Sequence, residues 1–557
     1  MISELTAKQV RQVCDSSLFK CNSTEEMTPL EGIIGQERAL SALKFGLNMP
    51  KDGFNVFVSG IAGTGKTTAT KAFLDALAAT KDIPPDWCYV YNFRDPYCPR
   101  SLKVPPGTGT ALQQDMKRLV EDAGRSLSQA FTSKEYVDRR AEITESLEKK
   151  KGSAFTTLGN KAQERGFLLR ATQIGLIFVP LSDDKPMSEE EFGQLSPDKK
   201  EELRQKQEEL TKELKSERDR LREEERAAEK QLEDVDGEVA RYATSYLFEE
   251  LKNNYSHLAQ VVEFIKDVEQ DITANFAQFK PEPHQHEDGP MAAMQSMLQK
   301  QNLAKYEVNV LVDNSPLQGA PVILELNPTF NNLFGRIEKE TQFGALYTDF
   351  TMIRSGSLHR ANGGYLVVRT ESLLNNFQSW DGLKRTLRDG KLIIEEIGER
   401  LGFIVTKTLR PEPIPLDVKV LIIGEPTFYY ALLHYDSEFK ELFKVKADFD
   451  TQMDKTEAEL NEYARVICRM CQQEPMRHLD SSALAKIIEH SSRLAGDQEK
   501  LSTMFSNIAD IVREANFWAS DDGGQTKVID ANHIMKAIEQ KVYRSNLIQQ
   551  RINEMIN

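Results

Sequence analysis

The sequence predicts an α/β fold: a parallel-sheet domain interrupted by a long helical insert and followed by an all-α segment. Three observations predict it. An apolar strand at residues 54–58, a glycine-rich turn and a helix from Thr67 follow one another near the start. Residues 198–236 are dominated by Glu, Lys, Arg, Gln and Leu. Beyond about residue 450, helical periodicity runs to the end of the sequence. Strand and helix signals that alternate imply a parallel sheet, because each crossover packs back onto one face.

The elements follow in order. Residues 1–110 form the first part of the α/β core. Gly35-Gln36 opens a helix over residues 37–47 with Ala39, Leu40, Leu43 and Leu47 on one face, and a further strand is expected at 88–93. Residues 111–300 form the helical insert. Leu214, Leu221, Ala228 and Val235 recur every seven residues, and Leu203 and Leu210 keep a second such spacing. That pattern suits either a helical hairpin or coiled-coil arm, or a lone amphipathic helix with a solvated face. An apolar interruption at 166–181 predicts a β-hairpin, and residues 280–290, with His284 and His286, a polar linker. Residues 301–450 resume the core, with strands expected at 306–313, 364–368, 392–394 and 418–423. Residues 451–557 are all-α, with helices expected at 457–472, 481–494, 500–518 and 531–555.

Composition narrows the function. At 557 residues the chain exceeds one ordinary core, so several structural units are expected. Its net charge of −15 and the lack of a basic block argue against a dedicated nucleic-acid binder, which needs concentrated cations to displace phosphate counterions. No apolar run approaches the ~20 residues that span a bilayer. Residues 1–10 carry charges and lack the apolar core of a secretion signal. The cysteines at 14, 21, 88, 98, 468 and 471 are scattered, and the pair Cys468 and Cys471 has no second pair to complete a zinc site. Reduced thiols and a cytoplasmic location are expected.

The chemistry centres on one motif. Gly60-Ile-Ala-Gly63-Thr-Gly65-Lys66-Thr67 matches GxxxxGK[ST], and it follows a strand and opens a helix, the context the motif requires. Glycines let backbone N–H groups turn inward and cradle phosphate oxygens, and the helix N-terminus adds a positive dipole. Gly60, Ala62, Gly63, Thr64, Gly65, Lys66, Thr67 and Thr68 are therefore the expected nucleotide contacts. Lys66 would reach the β- and γ-phosphates of ATP, and the Thr67 hydroxyl would ligate Mg²⁺.

With these residues in place, the chain resembles the Lon-type AAA+ proteases, specifically the LonB/LonC-like branch with a helical insert. Residues 33–39, with Ile34, are similar to the segment that contacts adenine in that family. Gly356-Ser-Leu-His359-Arg-Ala361-Asn-Gly-Gly364 is similar to its approach to the Walker B strand. The stretch 438–449 resembles the one carrying its trans-acting finger, here Lys444, and residues 451–557 look like its helical lid. Phe334-Gly335 sits where the family places a pore loop that grips polypeptide; the alternative is that Phe334 packs in the core. The resemblance implies a ring-shaped homo-oligomer, a hexamer in the family, acting on polypeptide substrates with ATP or ADP and Mg²⁺.

The chain departs from that family at the residues of hydrolysis. A Walker B strand ends in Asp-Glu, where the Asp holds Mg²⁺ and the Glu orients water. Here residues 365–368 are followed by Arg369-Thr370, and a guanidinium neither holds a cation nor acts as a base. Glu371, one residue further on, is the candidate substitute. Residues 308–313 also read as strand plus acid but precede the pore-loop candidate. Lys444 lacks the planar fork of an arginine finger. The polar residue expected after the fourth strand falls near Gly424-Glu425, and Met504 or Ser506 falls where the lid arginine is usual, with Arg493 and Arg513 nearby. The sequence contains no serine–lysine peptidase segment. Three functions follow as expectations: an ATP-driven unfolding and translocating module of a Lon-like protease, a hydrolysis-poor nucleotide-binding scaffold, or an adaptor built on the insert.

Overall fold

The computed structural model describes residues 13–30, 32–172, 175–182, 185–279, 301–342, 345–395, 408–521 and 527–556. Residues 1–10 and the linker 280–290 lie outside the described residues. The chain divides into two compact units, one of Met1–Ala111 with Val308–Asn557 and one of Leu112–Glu307.

A five-stranded sheet forms the first unit's core. Its strands are β1 (Val56–Ser59), β2 (Val322–Glu325), β3 (Gly364–Arg369), β4 (Val418–Gly424) and β5 (Val445–Asp448). They lie in the order β5-β1-β4-β3-β2, and every pair is parallel. A parallel sheet must be covered on both faces, so its strands read as continuous apolar runs. Val56 and Val58 of β1 pack with Tyr365 and Val367 of β3 and with helices α1 (Glu37–Asn48) and α2 (Lys66–Ala78). Phe57, Leu366, Val368, Val420 and Ile422 face the other way, against Trp380, Leu383 and Phe439. The fold class is therefore α/β, with a parallel sheet under helices.

Two expected strands belong elsewhere. The segment expected at 88–93 forms Asp86–Val90, and the one at 306–313 forms Val308–Val312. Both lie in a separate antiparallel sheet with Arg100–Val104, outside the parallel one. Strands from before and after the insert thus pair with each other.

The second unit is built on two long helices, α3 (Lys134–Glu164) and α4 (Pro197–Asn254). The latter, at 1.5 Å per residue, is about 87 Å long. They run antiparallel: ion pairs link Arg140 to Asp236, Lys151 to Glu225 and Lys161 to Glu213, so the partners' numbers move in opposite directions. The heptad residues Leu210, Ala228 and Val235 are buried, which makes α4 one arm of a helical hairpin rather than a lone helix. Between the two arms, Phe167–Thr172 and Gly175–Ser182 form an antiparallel β-hairpin. Its Phe167 and Phe178 pack with Leu158, Ala162 and Leu210.

The helical C-terminal part of the first unit comprises α5 (Glu457–Gln473), α6 (Ser481–Ala495), α7 (Phe505–Asp521), α8 (Ala531–Ser545) and α9 (Leu547–Ile556). Thr456 and Glu459 form a reciprocal capping box at the start of α5, and Asp480 caps α6, satisfying N–H groups a helix start leaves open. Residues 500–502, read from sequence as the start of a helix, instead form a strand, Lys500–Ser502, paired with Gln452–Asp454. Tyr463, Ile467, Leu484, Ile488 and Ile511 are fully buried together, each side chain contributing about 1.5–3 kcal/mol of transfer free energy. All six cysteines are free; Cys468 and Cys471 are buried in α5, and burial pushes the Cys471 thiol up to about 12. Among the described residues, no helix is long and apolar enough to cross a membrane.

Candidate functional site

The parallel order brings the C-terminal ends of β1, β3 and β4 side by side, the edge at which open α/β sheets take ligands. At the end of β1 the chain turns through residues 60–65 into α2. The turn needs glycine at two points: Gly63 has φ 91° and Gly65, the residue capping α2, has φ 71°. The Gly60 N–H donates to the Gly424 carbonyl at 3.2 Å, anchoring the loop to β4. The Thr64 hydroxyl donates to the Ile61 carbonyl at 3.0 Å and the Lys66 ammonium to the same oxygen at 3.2 Å.

A cleft of about 380 Å³ opens over this loop. The loop and the start of α2 contribute Ala62, Gly63, Gly65, Lys66, Thr67 and Thr68. The strand ends contribute Arg369, Glu371, Gly424 and Glu425, and α7 contributes Ser506. Burial lowers the pKa of Lys66, while the carboxylates of Glu371 and then Glu425 oppose the shift and Arg369 adds to it. The cleft thus sets two cations against two carboxylates. Arg369 is exposed, and its side chain makes no ion pair or hydrogen bond among the described residues.

Thr370, in the position of a Walker B glutamate, is turned away from the cleft. It is 1% exposed, and its hydroxyl donates to the Ile423 carbonyl at 3.1 Å. A Cβ on Gly424 would lie 2.3 Å from that hydroxyl, so β3 and β4 close on it tightly. Glu371 follows in the first turn of the short helix Thr370–Leu374, exposed and on the cleft wall.

The lid residue over the loop is Ser506. Its hydroxyl and its backbone N–H both donate to the Gly63 carbonyl, at 3.2 and 3.3 Å. Arg513 is tied to Glu474 and Asp510, and Arg493 lines a different cavity, within the helices of the lid.

Other sequence candidates lie away from the cleft. Gly60 is behind the loop, with Phe449 against it. Ile34 is 4% exposed and packs in the core of α5, α6 and α7 instead of on the cleft wall. Beside it, Gln36 bonds both the N–H and the carbonyl of Asp450 at 2.9 Å. Lys444 precedes β5, at the end of the parallel sheet opposite its own phosphate loop, with its ammonium 5.0 Å from the Phe54 ring centre.

Phe334 requires a correction. It is 2% exposed, its ring lies 4.6 Å from that of Phe330, and both belong to the core beneath the sheet. The ring offered to a polypeptide pore is a core ring. Gly335 follows at φ 83°, with no room for a side chain because a Cβ would meet the Arg354 carbonyl at 2.5 Å.

The sequence reached Glu425 and Ser506 only through the family resemblance, near the expected polar residue after the fourth strand and, with Met504 as the alternative, at the lid arginine position. Glu425 could have been found as the N-cap residue before Pro426, since the cap of a helix that follows β4 must lie at the strand end. Ser506 had no local signal, because its contact is with a loop 443 residues earlier.

Three segments of the chain match models of known families. Residues 318–450 match the LonB-like AAA domain, residues 478–544 the lid domain of archaeal LonB AAA+ ATPases, and residues 86–119 the Lon-like LonC helical domain. A protein of Escherichia coli (strain K12) described as a Lon protease homolog is 23% identical over 228 residues, covering 40% of this chain and 36% of that protein. The chain therefore spans about a third of that relative's length. Among solved structures, NtrX from Brucella abortus is 11% identical with a TM-score of 0.26, covering 52% of this chain and 60% of that one. The same protein in complex with ADP is 12% identical with a TM-score of 0.25, covering 50% and 59%. The family matches fall in both the sheet domain and the helical segment that follows it, and in these segments the chain is similar to Lon-type AAA+ proteins.

Proposed function

We propose that this chain is the nucleotide-binding ATPase module of a Lon-like ATP-dependent protease, coupling ATP or ADP to the unfolding and translocation of polypeptide substrates. The observation that carries this reading is the convergence of Lys66 and Thr67, the ends of β3 and β4, and Ser506 on one cleft. Loop N–H groups and the dipole of α2 would hold phosphate oxygens, and Lys66 would neutralise them. Glu371, exposed on the cleft wall, would orient an attacking water.

A ring of copies, a hexamer by family resemblance, accounts for Lys444. Its position at the far end of the sheet from its own phosphate loop supports the reading that it would serve a neighbour's nucleotide. With Phe334 packed inside, Leu346, at 72% exposure, is an apolar group offered to a polypeptide.

The residues fit a nucleotide but fit Mg²⁺ incompletely. Thr67 lies on the cleft, yet the strand end that should supply a carboxylate supplies Arg369, and the Thr370 hydroxyl is committed to Ile423. The same two residues favour a second reading, in which nucleotide fixes ring geometry through binding linkage with little turnover. Steady-state phosphate release by wild type, Lys66→Ala and Glu371→Gln tests the choice. Release that falls in both variants supports a motor; binding without release supports the scaffold.

A further inference from the structure

Arg369 occupies the end of β3, on the wall of the cleft that also holds Lys66, Thr67 and Ser506. Its side chain is exposed and unpaired among the described residues, although Glu371 and Glu425 line the same cleft. An arginine kept for structure usually finds a carboxylate or carbonyl partner, and a guanidinium facing a phosphate loop without one is set for an anion. We infer that the cleft binds the polyphosphate of a nucleotide without needing a divalent cation, the guanidinium of Arg369 supplying the charge that the ion would bring. This rests on reading the cleft as a nucleotide site.

The chemistry is specific. In related phosphate-loop sites a strand-end carboxylate helps hold the ion that bridges the β- and γ-oxygens. Replacing that carboxylate by arginine removes an ion ligand and adds a positive charge at the same place. The change therefore repels a dication and attracts the uncomplexed phosphate. The planar fork can meet two phosphate oxygens at once, which an ammonium cannot. Lys66 gains from the same arrangement: Arg369 raises the cost of its charge, and a polyanion would relieve both cations together.

The test is a titration of the full chain with a fluorescent ATP analogue, in excess EDTA and in excess Mg²⁺. The wild type should bind with dissociation constants within about twofold of each other, a difference below ~0.5 kcal/mol. Arg369→Ala should weaken binding in EDTA by at least about tenfold, ~1.4 kcal/mol, and lose less in Mg²⁺. Arg369→Lys, which keeps the charge but not the fork, should fall between them. Because Arg369 is exposed, all three proteins should melt together, which guards against misfolding. Loss of wild-type binding in EDTA, or an Arg369→Ala protein that binds as well as wild type there, would overturn the inference while leaving the nucleotide site standing. Absence of binding in both conditions, or binding indifferent to Lys66→Ala, would overturn the nucleotide reading and the inference with it.

Discussion

Ser506 holds the carbonyl oxygen of Gly63 with two donors, its hydroxyl at 3.2 Å and its backbone N–H at 3.3 Å. The first turn of α7 is thereby fastened to the crest of the phosphate loop, and any tilt of the lid helix pulls on that loop. The tether is neutral, a hydroxyl and an amide with no charge. Ser506→Ala should change nucleotide affinity by no more than about 1.5 kcal/mol, the range of one neutral hydrogen bond, with little change in melting temperature because the residue is exposed. Ser506→Arg should tighten ATP binding severalfold by adding a cation. Equilibrium titration of both variants checks this; weaker binding by Ser506→Arg would contradict it.

Thr370 and Gly424 are fitted to each other. Gly424→Ala would drive a Cβ to 2.3 Å from the Thr370 hydroxyl, and overpacking of this kind costs about 1–3 kcal/mol. Thr370→Val keeps the shape and loses the bond to Ile423, for about 1 kcal/mol. Thr370→Glu should destabilise the fold instead of restoring a hydrolytic carboxylate, since the site is closed to solvent. Urea midpoints at unchanged m-value give all three.

Phe334→Ala distinguishes core from pore. Emptying a fully enclosed phenylalanine site costs about 3–5 kcal/mol, whereas a ring on a pore wall would cost almost nothing. A variant as stable as wild type would contradict the packing described above.

His359 makes stability depend on pH. Burial holds its pKa down to about 4, below the ordinary histidine value of 6.5. Above pH 6.5 the ring is neutral whether the chain is folded or not, and its contribution is constant. As pH falls from 6.5 towards 4, the unfolded chain takes up a proton that the folded chain refuses. Stability therefore drops with acidification, by roughly 1.4 kcal/mol per pH unit at the steepest. His490, also lowered to about 4 by burial, with Lys541 and Arg493 adding to the shift, acts in the same direction. Urea unfolding at several pH values should show this slope, and His359→Asn should reduce it by the His359 share, leaving that of His490.

Some of this molecule was legible because its signals are local. The phosphate loop is coded by spacing, and β3 and β4, central in the sheet, read as apolar runs over residues 365–368 and 420–423. Edge strands were not legible. In β5, Val445-Lys446-Ala447-Asp448 alternates, with Lys446 paired to Asp448, and the segment lacks the apolar run of a central strand. Lys500–Ser502 is a strand only because Gln452–Asp454 pairs with it, which no periodicity near residue 500 records. Phe334 lies in a five-residue helix, too short for its buried face to show as a pattern. The orientation of Thr370 depends on how closely β4 approaches, and that closeness is a property of the folded sheet.

The most direct test of the central claim is calorimetric titration of ATP into wild type and Lys66→Ala, with Arg369→Ala beside them. One site per chain, weakened at least about tenfold by Lys66→Ala, is the predicted result, the equivalent of ~1.4 kcal/mol. Heats of dilution alone, or a dissociation constant that Lys66→Ala leaves unchanged, would contradict it.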